Sequence, residues 1–417
     1  MKFEFFGGAN EVGRSCIKVD GRFLLDSGLK ITEEGSEYPL IHDCMDIEAV
    51  FLSHAHLDHT GALPLLNKKG LSCPIFCNLM TKETSKILLK DSYKIELINK
   101  QFPIYTKENL YSILGYMNII KNENIYDFKD IKFSFHYSAH IPGSAYVFLE
   151  INDKKILYTG DFNTLDTKLL KASKPNFSNI DYMICETTYG DRNHPNRKEE
   201  EKKFLDKISK TLKEGGNVLI PAFAVGRAQE IILILASRNF KVPIYLDGMA
   251  KKVSNLYKNK SEYISNHEKY CKSLSNVKYV KSWKEREQIA KTQSIIITTS
   301  GMLDGGPVID YLKYFFHNSK NSILLTGYQG DGTNGKLLVD EGRVFIDGNR
   351  IKVQCNLEKF DFSAHAGKNE IIELIKKANP KNLFLQHGDR EALKSIEDEF
   401  KDKCNVIIPN NGDFYDL

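Results

Sequence analysis

Over the first 190 residues the chain alternates short apolar runs with turn-forming polar residues. "GRFLLDSG" (21–28), "IEAVFLSH" (47–54), "CPIFCN" (73–78), "IKFSFHYSAH" (131–140), "YVFLEINDKKILYTGD" (146–161) and "IDYMICETTYG" (180–190) each set such a run against Gly, Asp or Asn. That pattern predicts short strands. Asn152-Asp153 marks a hairpin inside the fifth. Longer helical periodicities fall near 81–99 and 106–119. From about Tyr189 the texture changes. A polar lead opens a helix that stops at Gly215-Gly216, and "NVLIPAF", a helix from Arg227, "VPIYLDG", "SIIITTSG" and "SILLTGYQGDG" follow. Strands alternating with helices predict a parallel α/β unit. Near residue 340 the strand-rich texture returns in "GRVFIDGNRIKVQCNLEKFDFSAH", then a helix at 369–378 and "NLFLQHGD". The expected organisation is a domain inserted into another, with boundaries at 1–188, 189–340 and 341–417, in the α/β class.

Several predicted strands end in an ionisable residue: Asp26, His54, His140, Asp161 and Glu186. Strand ends held in a sheet can converge rigid ligands on one edge. The densest case is "SHAHLDH", residues 53–59. His54 and His56 alternate and can point one way, leaving Asp58 and His59 for a second ion. The spacing therefore predicts a two-metal site. Imidazole with carboxylate suits zinc, with manganese or iron as compatible alternatives. His140 and Asp161 would complete the set, and a carboxylate such as Asp161 can bridge two ions. Taken alone, each would read as a structural histidine and a turn aspartate. His136 is expected to be structural.

Composition narrows the class. The 417 residues are 41% hydrophobic and 27% charged with one Trp, as in a soluble globular protein of two domains. No apolar run has membrane length, and "MKFEFFGGANEVGR" has no apolar segment of signal-peptide length, so the cytoplasm is expected and a membrane partner is not. Eight scattered cysteines, with only Cys73 and Cys77 close together, read as reduced thiols. The net charge of +4 is small, but ten lysines between Lys241 and Lys284 face only Asp247, Glu262 and Glu268. Tyr245, Tyr257, Tyr263, Tyr270, Tyr279 and Trp283 are interleaved. Such a stretch suits phosphate binding and base stacking, or is a solvated lysine-rich face.

"HAHLDH", the histidine of "SAHIPGSA", the aspartate of "LYTGD" and Asp26 of "LLDSG" together resemble the metallo-β-lactamase superfamily. "ETTYGDRNH", "PAFAVGRAQE", "TTSGMLDGGPV", "LTGYQGDGT", "FDFSAHAG" and "LQHGD" resemble its β-CASP nuclease branch, closer to the cleavage and polyadenylation endonuclease group than to ribonuclease J. The resemblance implies an αββα sandwich with an inserted α/β β-CASP domain. It implies two zinc ions per chain, one on His54, His56 and His140, the other on Asp58, His59 and His387, with Asp161 between them. Asp26 would orient the site, and Glu186 would pair with His365. Ser300, Gly301, Lys251 and Lys252 are expected to touch substrate. The implied activity is hydrolysis of RNA, single-stranded RNA above all, by water acidified on zinc, with a proton from His365 to the departing 3′-oxygen. A small-molecule hydrolase and a catalytically silent scaffold subunit are the alternatives. Relatives often dimerise, and "NVIIPNNGDFYDL" at the C-terminus is a hint of a homodimer.

Overall fold

Strands whose two faces are both covered must be apolar on both faces, and the runs of the first 190 residues are used that way. In the computed structural model they build two sheets. The structure describes residues 1–32, 35–42, 44–98, 103–330 and 332–417. Asn99, at the end of the expected 81–99 helix, and Asp331 of "GYQGDG" lie outside the described residues.

Two structural units are present. The first comprises Met1–Asp166, Lys171–Asn193 and Ala364–Leu417; the second comprises Thr167–Leu170 and His194–Ser363. Among the described residues the first unit has two seven-stranded sheets. One runs in the order Phe414–Asp416, Lys2–Gly7, Cys16–Val19, Phe23–Leu25, Ala49–Phe51, Ile75–Cys77, Met117–Ile119. The other runs Asn405–Ile407, Asn382–Gln386, Tyr182–Glu186, Lys154–Tyr158, Ala145–Ile151, Ile131–Tyr137, Ile125–Phe128. Phe3, Phe5, Phe23 and Phe51 of the first share a core with Phe133, Phe135, Val147 and Phe384 of the second. Alternate residues point outward. Leu24, Val50 and Leu52 meet Leu63, Leu66, Leu89, Leu110 and Ile113 of the helices on one side. Met183, Cys185, Leu383 and Leu385 meet Ile371, Leu374, Ile375, Leu393 and Ile396 on the other. The result is an αββα sandwich.

The hairpin forms as expected between Ala145–Ile151 and Lys154–Tyr158, with Asn152 at φ 49° and Asp153 at φ 59°, the left-handed pair of a type I′ turn. The helix expected at 106–119 is shorter. Lys107–Tyr116 is helical, capped by Thr106 and Asn109, but Met117–Ile119 joins the sheet beside Ile75–Cys77. Pairing with Ile75–Cys77 and burial of Met117 outweigh helical periodicity over those three residues. The C-terminal segment is used within the chain. Asn405–Ile407 pairs with Asn382–Gln386, and Phe414–Asp416 with Lys2–Gly7. The segment therefore gives a homodimer no support.

The second unit is a six-stranded parallel sheet among the described residues, in the order Val277–Tyr279, Ile244–Asp247, Ile295–Thr298, Val218–Pro221, Ser322–Leu325, Asn356–Lys359. The expected boundaries at 188/189 and 340/341 give way to 193/194 and 363/364. The reason is packing. Asn356–Lys359 adds to Ser322–Leu325, and Phe360 and Phe362 then close on Phe204 at 5.1 and 5.2 Å. No helix among the described residues is long and apolar enough to cross a membrane.

Candidate metal centre

Every expected ligand lies in the first unit, at sheet edges where strands become turns. His54 and His56 follow Ala49–Phe51; Asp58 and His59 sit in the helical turn Leu57–Thr60. His140 follows Ile131–Tyr137, Asp161 follows Lys154–Tyr158, and His387 follows Asn382–Gln386. Asp26 (φ 58°), Ala139 (φ 61°) and His387 (φ 51°) adopt left-handed conformations that non-glycine residues seldom take, as strained functional loops do. The helical turn is stitched to the Asp26–Gly28 turn by Ser27 N–H donating to His59 O at 2.8 Å. Gly28 must be glycine there, since a Cβ would stand 1.6 Å from the Asp58 carbonyl oxygen.

The ring nitrogens converge. His56 Nδ1 is 3.1 Å from both His54 Nε2 and His140 Nε2, and Asp161 Oδ2 is 3.5 Å from each of the latter two. The far nitrogens set the tautomers. His140 Nδ1–H donates to Ala364 O at 2.9 Å. His54 Nδ1–H donates to Ser53 Oγ at 3.1 Å, and Ser53 Oγ–H donates to Asp26 Oδ2 at 2.6 Å. Both Nε2 atoms are therefore lone pairs facing a third nitrogen. Burial lowers the pKa of His54, His56 and His140, which keeps the imidazoles neutral and able to ligate. Zinc about 2.0–2.1 Å from tetrahedral ligands sets them about 3.3 Å apart, so this donor set fits such an ion.

A second convergence shares Asp161. Its Oδ1 is 3.4 Å from His59 Nε2 and 3.4 Å from His387 Nδ1, and Asp58 Oδ2 is 3.4 Å from His387 Nε2. His59 Nδ1–H donates to Asp26 Oδ2 at 2.7 Å. Among the described residues, His59 Nε2, His387 Nε2 and Asp161 Oδ1 are buried with no hydrogen-bond partner. Buried polar atoms are almost always satisfied, so three orphans within the cluster of His59, Asp161 and His387 fit a cation among them. Burial would lower the pKa of His59 and His387, but the carboxylates, Asp161 foremost, overcome it and raise both. Burial would raise Asp58 and Asp161, but the surrounding histidines hold both low.

His365 stands beside these groups. Its ring is 4.4 Å from that of His140, and its Nδ1–H donates to Glu186 Oε2 at 3.0 Å. Phe162 N–H fixes the other Glu186 oxygen at 2.8 Å. Burial would lower the His365 pKa, yet Glu186 and Asp161 raise it to about 9.

Ser53 and Tyr158 were not singled out by spacing. Asp26 accepts from Ser53 N–H, Ser53 Oγ–H, His59 Nδ1–H and Tyr158 O–H, all within 2.6–2.7 Å. Tyr158 stands three residues before Asp161, the one signal that could have found it.

Lys251, Lys252, Ser300 and Gly301 lie in the second unit. Lys251 Nζ donates to Val280 O and to the buried Asp247, so it serves the fold; Lys252 is exposed. Ser300 Oγ donates to Asp304 O, and Gly301 is buried where a Cβ would crowd Phe223 N at 2.9 Å. Tyr257 and Tyr270 are core residues at 0% exposure, whereas Trp283 is 69% exposed. Core packing claims the two tyrosines because they fall on the buried faces of their helices. His136 pairs with Glu123 and Ser134, apart from the clusters of candidate ligands.

Family models match in three places: the Beta-Casp domain at residues 228–338, the Zn-dependent metallo-hydrolase RNA specificity domain at 350–409, and the anti-Pycsar protein Apyc1 at 16–199. The chain is 43% identical over 401 residues to the probable RNase MJ4 of Methanocaldococcus jannaschii, with 93% of each chain covered. It is 34% identical over 417 residues to RNase aCSPSF2 of Saccharolobus solfataricus, covering 98% of this chain and 84% of that one. It is 32% identical to the transcription termination factor FttA of M. jannaschii, covering 99% and 71%. In structure it resembles a protein of unknown function from Enterococcus faecalis V583, with a TM-score of 0.63, 14% identity and coverage of 100% and 99%, a likeness of fold.

Proposed function

The chain belongs to the β-CASP ribonucleases of the metallo-β-lactamase superfamily, and on that premise we propose that it cuts single-stranded RNA internally, with two zinc ions and His365 as general acid. The observation that carries the reading is the division of one carboxylate. Asp161 turns Oδ2 toward His54 and His140, and Oδ1 toward His59 and His387. His54, His56 and His140 would hold one ion with Asp161 Oδ2. Asp58, His59 and His387 would hold the other with Asp161 Oδ1. Bound there, zinc supplies acidified water and positive charge for the phosphate oxygens.

The remaining work falls to side chains. Asp58 and Asp161 offset only part of the charge of two dications, so the edge stays attractive to a phosphodiester. Asp26 holds His59 directly and His54 through Ser53, fixing which nitrogen of each faces inward. Glu186 holds Nδ1–H of His365, and the proton handed to the departing 3′-oxygen would be the one on Nε2. The expected products carry 5′-phosphate and 3′-hydroxyl ends.

Purified protein incubated in parallel with labelled linear RNA, circular RNA, duplex DNA and a chromogenic β-lactam tests this. Cleavage of both RNAs, lost on chelation and restored by zinc, with metal analysis near two equivalents per chain, is expected. Turnover of the β-lactam without RNA cleavage would replace the reading with a small-molecule hydrolase, and a stable single equivalent in active enzyme would remove the second ion.

A further inference from the structure

We propose that Thr188 is a positioning residue shared by the metal site and the general acid, its hydroxyl joining His387 to the Glu186–His365 pair. The proposal rests on the two-ion, general-acid reading above. Strands Tyr182–Glu186 and Asn382–Gln386 are parallel neighbours with Glu186 opposite Gln386. Continuing past that register, Thr188 meets His387, 199 residues away in sequence. Thr188 Oγ1 is 2.5 Å from Glu186 Oε2, 3.2 Å from His387 Nδ1 and 3.1 Å from the His387 carbonyl oxygen.

A hydroxyl has one proton to give. At 2.5 Å the two oxygens need a proton between them, because an ionised carboxylate carries only lone pairs. The Thr188 proton is therefore committed to Glu186, and its oxygen accepts from His387 Nδ1–H. That leaves His387 Nε2 as a bare lone pair, buried and 3.4 Å from Asp58 Oδ2, on the side where the second ion would bind. The opposite tautomer would turn Nδ1 into an acceptor and ask for the Thr188 proton twice. Glu186 Oε2 meanwhile also accepts His365 Nδ1–H at 3.0 Å. The hydrogen-bond sequence His387, Thr188, Glu186, His365 is thus continuous, and the ligating tautomer at one end shares its fixing hydroxyl with the acid's orientation at the other.

The strand ends do not need this hydroxyl to stay together. Thr187 N–H donates to His387 O at 3.3 Å and Thr187 Oγ1–H to Gln386 O at 3.1 Å. Thr188→Val keeps the shape and removes only the relay.

The test reads zinc first. In chelator competition, Thr188→Val should weaken one zinc equivalent 10–100-fold and leave the other unchanged, the usual effect of losing a group behind a histidine ligand, while Thr188→Ser should return to within about threefold. At saturating zinc, Thr188→Val should lower kcat with KM unchanged. Adding it to His365→Ala should cost nothing more, because the pair it supports is already gone. Unchanged zinc affinity in Thr188→Val, equal weakening of both equivalents, losses that multiply in the double variant, or a serine variant as impaired as the valine would each overturn the assignment. A wild-type protein that cuts no RNA would fail the ribonuclease reading instead, and the zinc measurement would still decide Thr188.

Discussion

Asp161 and Asp247 are both aspartates buried at the carboxyl end of a strand, one in each unit, 2% and 1% exposed. Their surroundings differ in one respect. Asp247 is saturated: Oδ1 accepts from Gly248 N–H at 2.7 Å and Lys251 at 3.3 Å, and Oδ2 from Arg286 Nε–H at 2.7 Å and Tyr311 O–H at 3.1 Å. Asp161 instead faces histidine nitrogens at 3.4–3.5 Å, and its Oδ1 has no hydrogen-bond partner among the described residues. A buried carboxylate costs free energy unless something compensates it. Asp247 is compensated by its own fold and is framework. Asp161 has no such compensation from its own fold, and the proposed cations would supply it.

The sharpest way to break that comparison is Asp161→Asn. Metal content should fall, and RNA cleavage should drop on the order of 10⁴-fold, as when the group organising the nucleophile is lost. Full metal occupancy in this variant would put Asp161 back beside Asp247 as framework. Next in size is His365→Ala, which should keep its zinc and lose about 10²–10⁴-fold in rate, the usual worth of a general acid. A substrate with sulfur in place of the 3′-oxygen should recover much of that loss, since a thiolate leaves without a proton. An equal deficit on both substrates would move His365 into the framework. Asp247→Ala should do the reverse of Asp161→Asn. It leaves Lys251 and Arg286 short of a partner and should cost about 3 kcal/mol in urea unfolding, at the low end because Arg286 keeps Asp310 at 2.6 Å. Zinc content should not move; if it did, the two aspartates would not be separable. The smallest effect is expected from Lys252→Glu with Lys258→Glu on the exposed face of the second unit. RNA affinity should fall several-fold at low salt, and the slope of log affinity against log salt should flatten by about 0.7 for each phosphate no longer neutralised. Identical slopes would mark that face as merely solvated. Lys251 is left intact because it is bonded to Asp247.

Much of the first unit was legible because its signals are local. The hairpin at Asn152-Asp153 needs two residues that tolerate positive φ, and both have it. The helix expected near 81–99 runs over Leu79–Ile98. The convergence of the candidate ligands was legible because "HAHLDH" crowds four donors at one strand end, and His140, Asp161, Glu186, His365 and His387 all come to the same edge. The second unit was less legible. Its basic stretch looked uniform in sequence, but Tyr257 and Tyr270 are core and Lys251 is tied down, leaving Lys252 and Trp283 among the accessible groups.

The sequence by itself determined which residues could ligate, which segments could be strands, and that one α/β unit interrupts another, because periodicity, turn chemistry and donor type are properties of neighbouring residues. Tertiary structure alone decided that Asp26 ties His54 to His59 with help from Tyr158, that Thr188 reaches His387, and that Asn356–Lys359 completes the inserted sheet. Those outcomes depend on which lone pair faces which proton across as many as 199 residues. Such a pairing is set when two sheets and their register bring strand ends together, and no spacing along the chain encodes it.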